Sequence, residues 1–465
     1  MSEFFKRITH DSFRNRVTDR QGKLGKNACK IMASAINAVD PYVCIENHVK
    51  YNGQTLDLDG NRIFTKDIDR IFVLGLGKAS VPMGISIIDA IGEMIDFAAV
   101  VTKSPAFQKF DGYKEKLKVF LGGHPVPTEA SIKATKSILR ILPELTSKDL
   151  VIVLISGGGS ALFTSPVSGV SLDDIQKMTG MLLKSGAEIK EINTIRKHLD
   201  EVKGGRLALR LHPAKIFTLI LSDVVGDRLD MIASGPTVPD PTYYKDALEI
   251  ITRYHLEEKI PHSIISYLED GNKGKYPETL KSENNKEISV KNILIGSNYQ
   301  AAEAGFQKAK SMGYRSMIIS THLTGDTHHV ANFLSGIIKS TISHSTPLKR
   351  PACLILGGET TVKVTGSGRG GRNQDLALRM VETLSGIPGI LFISLASDGE
   401  DGPTDAAGAV IDDLVFTEDI NKEASEVTSF IKNNNSYEYL DQKGALIKTG
   451  STGTNVNDLI IILFQ

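Results

Sequence analysis

Six times along this chain a short run of apolar, mostly β-branched residues ends in a bend rich in glycine or aspartate and passes into a segment of helical periodicity. The runs are RIFVLGLGKAS from Arg70, DLVIVLISGGGS from Asp149, KIFTLILSDVVGD from Lys215, KNILIGSNYQ from Lys291, ACLILGGET from Ala352 and ILFISLASDGEDG from Ile390. A strand that is apolar throughout must be covered on both faces, and alternation of strand with helix covers it that way. The pattern therefore predicts an α/β protein whose sheets are mostly parallel and flanked by helices. In such sheets ligands bind beyond the carboxyl ends of the strands, where these bends fall.

At 465 residues the chain exceeds one ordinary core, and two domains are expected. The pattern lapses between Pro261 and Lys291, where EDGNKGKYPETLKSENNKE is polar and rich in Gly and Lys, so a boundary is placed there: residues 1–260 and residues 285–465. Lys plus Arg and Asp plus Glu both number 54 and are scattered, which removes the electrostatic reason to expect nucleic acid or an anionic membrane as partner. A small solute is the expected ligand. Cys29, Cys44 and Cys353 are odd in number, far apart and outside CxxC spacing, so neither a disulfide framework nor a zinc site is predicted. No run approaches the roughly 20 apolar residues of a membrane span. The N-terminal stretch lacks a signal-peptide core, and Glu3, Asp11 and Asp19 argue against a presequence; the cytoplasm is expected, with the mitochondrion as alternative.

Chemistry is sought in the bends. In SGGGSALF, consecutive N–H groups at Gly157, Gly158 and Gly159 can form a nest for phosphate oxygens, with the hydroxyls of Ser156 and Ser160 beside it; a tight crossover is the competing reading. LGLGKAS resembles half of a dinucleotide fingerprint: Gly77 allows close backbone approach and Lys78 aims a cation at the bend, but Ser80 stands where a third glycine belongs. No GxxxxGK[ST] loop is present. The stretch EINTIRKHLDEVKGGRLALR reads as a helix whose basic residues are mostly solvated, with Asn193 and Lys197 sharing one side. SDVVGD places Asp223 just past a strand, either as a turn cap or as an oxygen ligand for magnesium. GSGRGGRNQ sets Arg369 and Arg372 on glycines ahead of a helix near Asn373, an arrangement that suits carboxylate or phosphate. SDGEDGPTD crowds Asp398, Glu400, Asp401 and Asp405 after a strand, where one carboxylate can act as base and another, Asp401, can lie near a metal. His322, His328 and His329 have no diagnostic metal spacing and read as surface or packing residues. Phosphate nests, separate cations and an acid loop are together what phosphoryl transfer needs.

At these residues the chain resembles the class II glycerate kinases, the family with a MOFRL domain at its C-terminal end. GLGKAS, SGGGSALF, NTIRKHLDEVKGGRLA, SDVVGD with ASGPT, GGET, GRGGRNQDLAL, SDGEDGPTDAAGA and STGTNVNDL occur in the family's order, from about Arg70 to the C-terminus. The departures are Glu400, at a variable place, and Asp375, where the family often has glutamate. The resemblance implies a Rossmann-like glycerate kinase domain over residues 1–260, an α/β MOFRL domain over residues 285–465 and an active site in the cleft between them. It implies an ATP- and Mg2+-dependent kinase making 2-phosphoglycerate from D-glycerate, with Lys78, Arg372 and Asp398 as the catalytic set. Gly77 and residues 156–160 are then expected at nucleotide phosphates, Asn193, Lys197, Asn298 and Asn373 at substrate or phosphate, and Asp223 and Asp401 near the metal. A monomer or homodimer acting on small molecules is expected, with no membrane or nucleic-acid partner. The rivals are a kinase making 3-phosphoglycerate, an NADP-linked hydroxypyruvate reductase using GLGKAS and Lys103, and a non-catalytic sensor that has no use for Asp398.

Overall fold

A computed structural model of the chain describes residues 8–104, 113, 115–415 and 420–465. Residues 1–7 of the N-terminal stretch discussed above lie outside them. The chain forms two compact units. The nest unit comprises Pro41–Ser222 and Asp227–Ile295, and the acid-loop unit comprises residues 8–40, Asp223–Gly226 and Gly296–Gln465. Among the described residues no helix is long and apolar enough to cross a membrane.

In the nest unit a six-stranded sheet runs in the order Leu117–Leu121, Ile95–Thr102, Arg70–Leu76, Asp149–Ile155, Lys215–Leu221, Val290–Gly296. The first five strands are parallel to their neighbours. Every residue of Asp149–Ile155 is buried, as an apolar strand covered on both faces demands. Register then sets the site: Gly75 pairs with Leu154 and Leu76 with Ile155, so the strands leading into GLGKAS and SGGGS end at one level, side by side. A separate helical core gathers Met178 and Leu182, Ile192 and Ile195, Ile250 and Ile251, and Ile264 and Leu268 around buried Tyr244. It gives the helix Ile189–His198 an apolar inner face and fixes how its basic residues are presented.

In the acid-loop unit the sheet order is Arg315–Asp326, Ala352–Thr361, Asp458–Phe464, Ile390–Ala396, Gly408–Ile411, Leu446–Ile447. Arg315–Asp326 and Ala352–Thr361 are parallel; the remaining neighbours are antiparallel, so the expected mostly parallel sheet is found in the nest unit but not here, where Asp458–Phe464 is inserted between two strands that point the other way and Gly408–Ile411 runs back along Ile390–Ala396. Asp458 pairs with both Gly358 and Ala396, which gathers the ends of GGET, the acid loop and the last strand at one edge. The helix Gly22–Ala38 packs against Asn298–Ser311, where Gly305 leaves room for Ile31 and Ala35. Nothing in the residue pattern of residues 8–40 signals that they join this unit.

Candidate active site

The two glycine bends of the nest unit do different work. Gly77 has φ +121°, and a Cβ there would lie 2.3 Å from Ser156 Oγ and 2.4 Å from its carbonyl oxygen, so only glycine lets the loops touch. The N–H groups of this bend are engaged within the fold: Gly77 donates to Val101 O (3.3 Å), Lys78 to Gly157 O (2.9 Å) and Ala79 to Ser156 Oγ (3.0 Å). Along SGGGS the pattern reverses. Ser156 donates to Leu76 O at 3.0 Å, while no backbone acceptor among the described residues takes the N–H of Gly157, Gly158, Gly159 or Ser160. Gly158, at φ +82°, turns the chain into the helical turn Gly159–Leu162, and a Cβ on it would meet His124 Cδ2 at 2.8 Å and Lys78 Cε at 3.3 Å. The nest thus opens beside Lys78 and His124. Burial, and then the charges of Lys78 and Lys103, lower the His124 pKa to about 4, so the ring is neutral at physiological pH.

The ASGP turn closes the other side. Ser160 Oγ and Ser234 Oγ are 2.8 Å apart, and Ala233 and Ser234 have φ of 50° and 61°, the left-handed region that non-glycine residues avoid. Backbone held there is strained and persists only where surrounding packing enforces it.

In the acid-loop unit Arg372 opens the helix Arg372–Leu384. Its guanidinium forks onto Asp458, with Nε to Oδ2 at 2.6 Å and Nη2 to Oδ1 at 3.0 Å, and Nη1 donates to Glu359 at 2.7 Å. Burial opposes the charge, but Asp458, Glu359 and Asp401 outweigh it and hold the pKa above the usual arginine value. Burial pushes the Asp458 carboxyl up to about 6 against the pull of Arg372. Asp398 stands two residues beyond the strand Ile390–Ala396, and its carbonyl accepts the N–H of Thr452 at 3.1 Å. Gly399, at φ +90°, must be glycine because a Cβ would meet Gly450 O at 2.1 Å. Asp223, Arg372, Asp398, Asp401 and Asp458 line one cavity of about 390 Å³ within this unit.

The remaining predicted residues fall into place unevenly. Asp401 is buried and caps the helix: its oxygens accept the N–H groups of Asn373 (3.1 Å) and Gln374 (2.9 Å) and Asn373 Nδ2 (3.2 Å). Asn373 is itself held by Ser394, whose hydroxyl donates to its Oδ1 at 2.7 Å. Asn298 donates to the carbonyls of Val456 (2.8 Å) and Asp458 (2.9 Å), so it braces the strand that carries Asp458. In the nest unit Lys197 is buried between Asp240 (3.3 Å) and Asp230 (3.4 Å), and buried Asn193 has an Oδ1 without a hydrogen-bond partner. The expectation that the basic residues of this stretch are mostly solvated is overturned for Lys197, His198 and Lys203, all buried, because the helix packs into a helical core with carboxylates waiting inside. The three histidines His322, His328 and His329 stay out of any cluster of metal-ligand type among the described residues.

Sequence reasoning missed Glu359 and Asp458, which orient Arg372, together with His124 and Ser234 beside the nest. Glu359 and Asp458 lay within quoted segments, GGET and STGTNVNDL, but only the sheet register shows that they meet the arginine. Lys78 belongs to the nest unit and Arg372 and Asp398 to the other.

A two-unit α/β architecture with an N–H nest beside a lysine, and an arginine fixed by carboxylates beside an acid loop, defines an enzyme built to handle phosphate. Comparison with known proteins makes this particular. Residues 27–269 match the family model described as "Domain of unknown function (DUF4147)", and residues 352–458 match the MOFRL family. A D-glycerate 2-kinase of Thermotoga maritima is 42% identical over 440 residues, covering 94% of this chain and 98% of its own length. A glycerate 2-kinase of Pyrococcus horikoshii is 40% identical over 437 residues, with 93% and 96% covered. The crystal structure of a glycerate kinase from Thermotoga maritima superposes with a TM-score of 0.82 at 40% identity, covering 95% of this chain and 99% of that one. The chain belongs to this family, the class II glycerate kinases.

Proposed function

We propose that this chain is a glycerate kinase that transfers the γ-phosphoryl group of ATP to the C2 hydroxyl of D-glycerate, releasing 2-phosphoglycerate and ADP. The observation that carries the reading is the combination of unengaged N–H groups along Gly157–Ser160 beside Lys78 with a fork-held Arg372 in the same cavity as Asp398. Phosphoryl transfer asks the protein for positioning and charge more than for covalent chemistry. In this reading the hydroxyl oxygen attacks the γ-phosphorus, the bond to the ADP oxygen breaks and the hydroxyl proton passes to Asp398. Lys78 and Arg372 stabilise charge on the equatorial oxygens, and the nest N–H groups hold phosphate oxygens. The fork onto Asp458 keeps the guanidinium oriented before substrate arrives, so no reorganisation is needed as charge develops.

Magnesium fits the carboxylate-rich lining of the acid-loop cavity through Asp223, ahead of Asp401, whose oxygens already cap a helix. Such an ion takes one or two carboxylates and completes its shell with phosphate and water, so it does not require three ligating side chains. It neutralises charge on the donor phosphates when bound. A cytoplasmic location completes the reading.

Asp398→Asn is the test. General-base catalysis contributes roughly 10²–10⁴-fold, so kcat is expected to fall at least about 100-fold while the Kd for ATP changes little. Unchanged turnover removes Asp398 from the role of base.

A further inference from the structure

Within the nest unit a cavity of about 110 Å³ opens beneath the SGGGS bend, lined among others by His124, Gly158, Ser160, Thr164, Arg196 and Asp200. At roughly 10–15 Å³ of such space per water-sized group, it takes about seven to eleven non-hydrogen atoms. A three-carbon hydroxy acid has that size; a nucleotide is several times larger.

The charges around this cavity do not balance. Lys203 Nζ lies 2.5 Å from Asp200 Oδ2, and the same carboxylate accepts from Thr164 Oγ1 (2.5 Å) and from the N–H groups of Ser165 (3.3 Å) and Val202 (3.0 Å). That acid is saturated. Arg196 differs: its side chain makes one hydrogen bond, to Thr179 Oγ1 at 3.3 Å, and no carboxylate among the described residues forms an ion pair with it. Burial lowers its pKa, with Asp200 opposing only in part. A largely buried guanidinium without its own counter-ion is costly to keep unless the space beside it receives an anion. At the nest end the polar groups of the lining are uncharged, the neutral ring of His124 and the hydroxyl of Ser160, which suit hydroxyl oxygens, with Pro125 and Ala161 beside them.

We propose that this cavity is the acceptor site and that Arg196 binds the carboxylate of a short 2-hydroxy acid there, leaving its hydroxyls toward the glycine nest. The proposal rests on the kinase reading for the identity of the acid, but the carboxylate site stands on the cavity and on Arg196. It adds a specificity-determining residue from a helix that carries none of the catalytic set. It also explains why a helix in this layer keeps an arginine at a position facing a cavity instead of an aliphatic residue.

The test compares D-glycerate with D-glyceramide, its neutral amide, as acceptor and as ligand in calorimetry, for the native enzyme, Arg196→Met and Arg196→Lys. Removing one partner of a buried charge pair costs enough to weaken binding by about 30-fold or more. The native enzyme is expected to have a KM for glyceramide at least about that much above its KM for glycerate. Arg196→Met is expected to raise the glycerate KM similarly, leave the ATP KM nearly unchanged and abolish the preference for acid over amide; Arg196→Lys is expected to retain part of it. Equal use of acid and amide by the native enzyme, or an unchanged glycerate KM in folded Arg196→Met, overturns the proposal, and the first of these needs no variant to fold. If the native enzyme phosphorylates neither compound, the kinase reading fails separately. Calorimetry then decides the site: glycerate binding lost in Arg196→Met upholds it, and binding that is unchanged or absent from the native protein overturns it.

Discussion

Replacing Gly159 with alanine puts a methyl group where the structure has no room. Its Cβ would lie 2.6 Å from Ala233 Cβ and 3.0 Å from Leu76 Cδ1. Carbon atoms in contact settle near 3.5–4.0 Å, so the pair must separate by about 1 Å. The tip of Leu76 can rotate away, but Ala233 Cβ is fixed to the backbone and the turn that carries it must move. Overpacking of this kind costs about 1–3 kcal/mol. Ala233 is itself held at φ 50°, a conformation costing an ordinary residue about 1–2 kcal/mol. Ala233→Gly removes both methyl and strain; against this stands the extra chain entropy of glycine, about 0.5–1 kcal/mol, so the single variant is expected to be neutral to mildly stabilising. The double variant should then be less destabilised than the sum of the singles by about 1–2 kcal/mol. Urea unfolding followed by circular dichroism, on all four proteins, measures this coupling. Additive effects within about 0.5 kcal/mol, or a neutral Gly159→Ala, refute the claim that this glycine exists for close packing against the ASGP turn.

Arg372→Ala leaves Asp458 buried without its partner and is expected to cost about 3–5 kcal/mol in urea unfolding at pH 8, beyond its effect on turnover. The cost shrinks toward pH 5. Burial already raises this carboxyl to about 6, above its unfolded value, so stability is present when it is protonated and is lost as pH rises through the folded pKa. A destabilisation independent of pH contradicts the assignment. The opposite sign holds for His124, whose pKa is depressed to about 4: the unfolded chain binds the proton more readily, so stability falls as pH drops from about 6.5 toward 4. Halved for the partial exposure of the ring, the loss is about 1–2 kcal/mol, and His124→Gln should flatten that part of the stability profile. Lys78→Ala should lower kcat/KM at least about 100-fold while leaving the melting temperature nearly unchanged, since its side chain makes no hydrogen bond or ion pair with a described residue.

Much of the fold was legible because continuous apolar strands and glycine bends are local features: Asp149–Ile155 and Ile390–Ala396 are buried throughout, as their composition requires. The insertion of Asp458–Phe464 between neighbours running the other way was not legible, since strand direction depends on pairing across the chain. Nor was the return of residues 8–40 to the acid-loop unit, which depends on a helix face finding Asn298–Ser311. In the site, Lys78, Arg372 and the glycines announced themselves by charge and spacing. What their neighbours do was hidden: Gly77 is required by Ser156, Arg372 is aimed by Asp458 and Glu359, and Asp401 caps a helix. Register and burial decide these relations, and the basic stretch around Lys197 shows the consequence, since residues that read as solvated sit inside a helical core with carboxylate partners.

The central claim is tested most directly by a phosphorus NMR time course of the purified protein with ATP, magnesium and D-glycerate. A growing 2-phosphoglycerate resonance is expected, recognised by its coupling to a single C2 proton, with ADP appearing in step. ATP left intact while D-glycerate is oxidised with NADP would contradict it and hand the glycine nest to a dinucleotide.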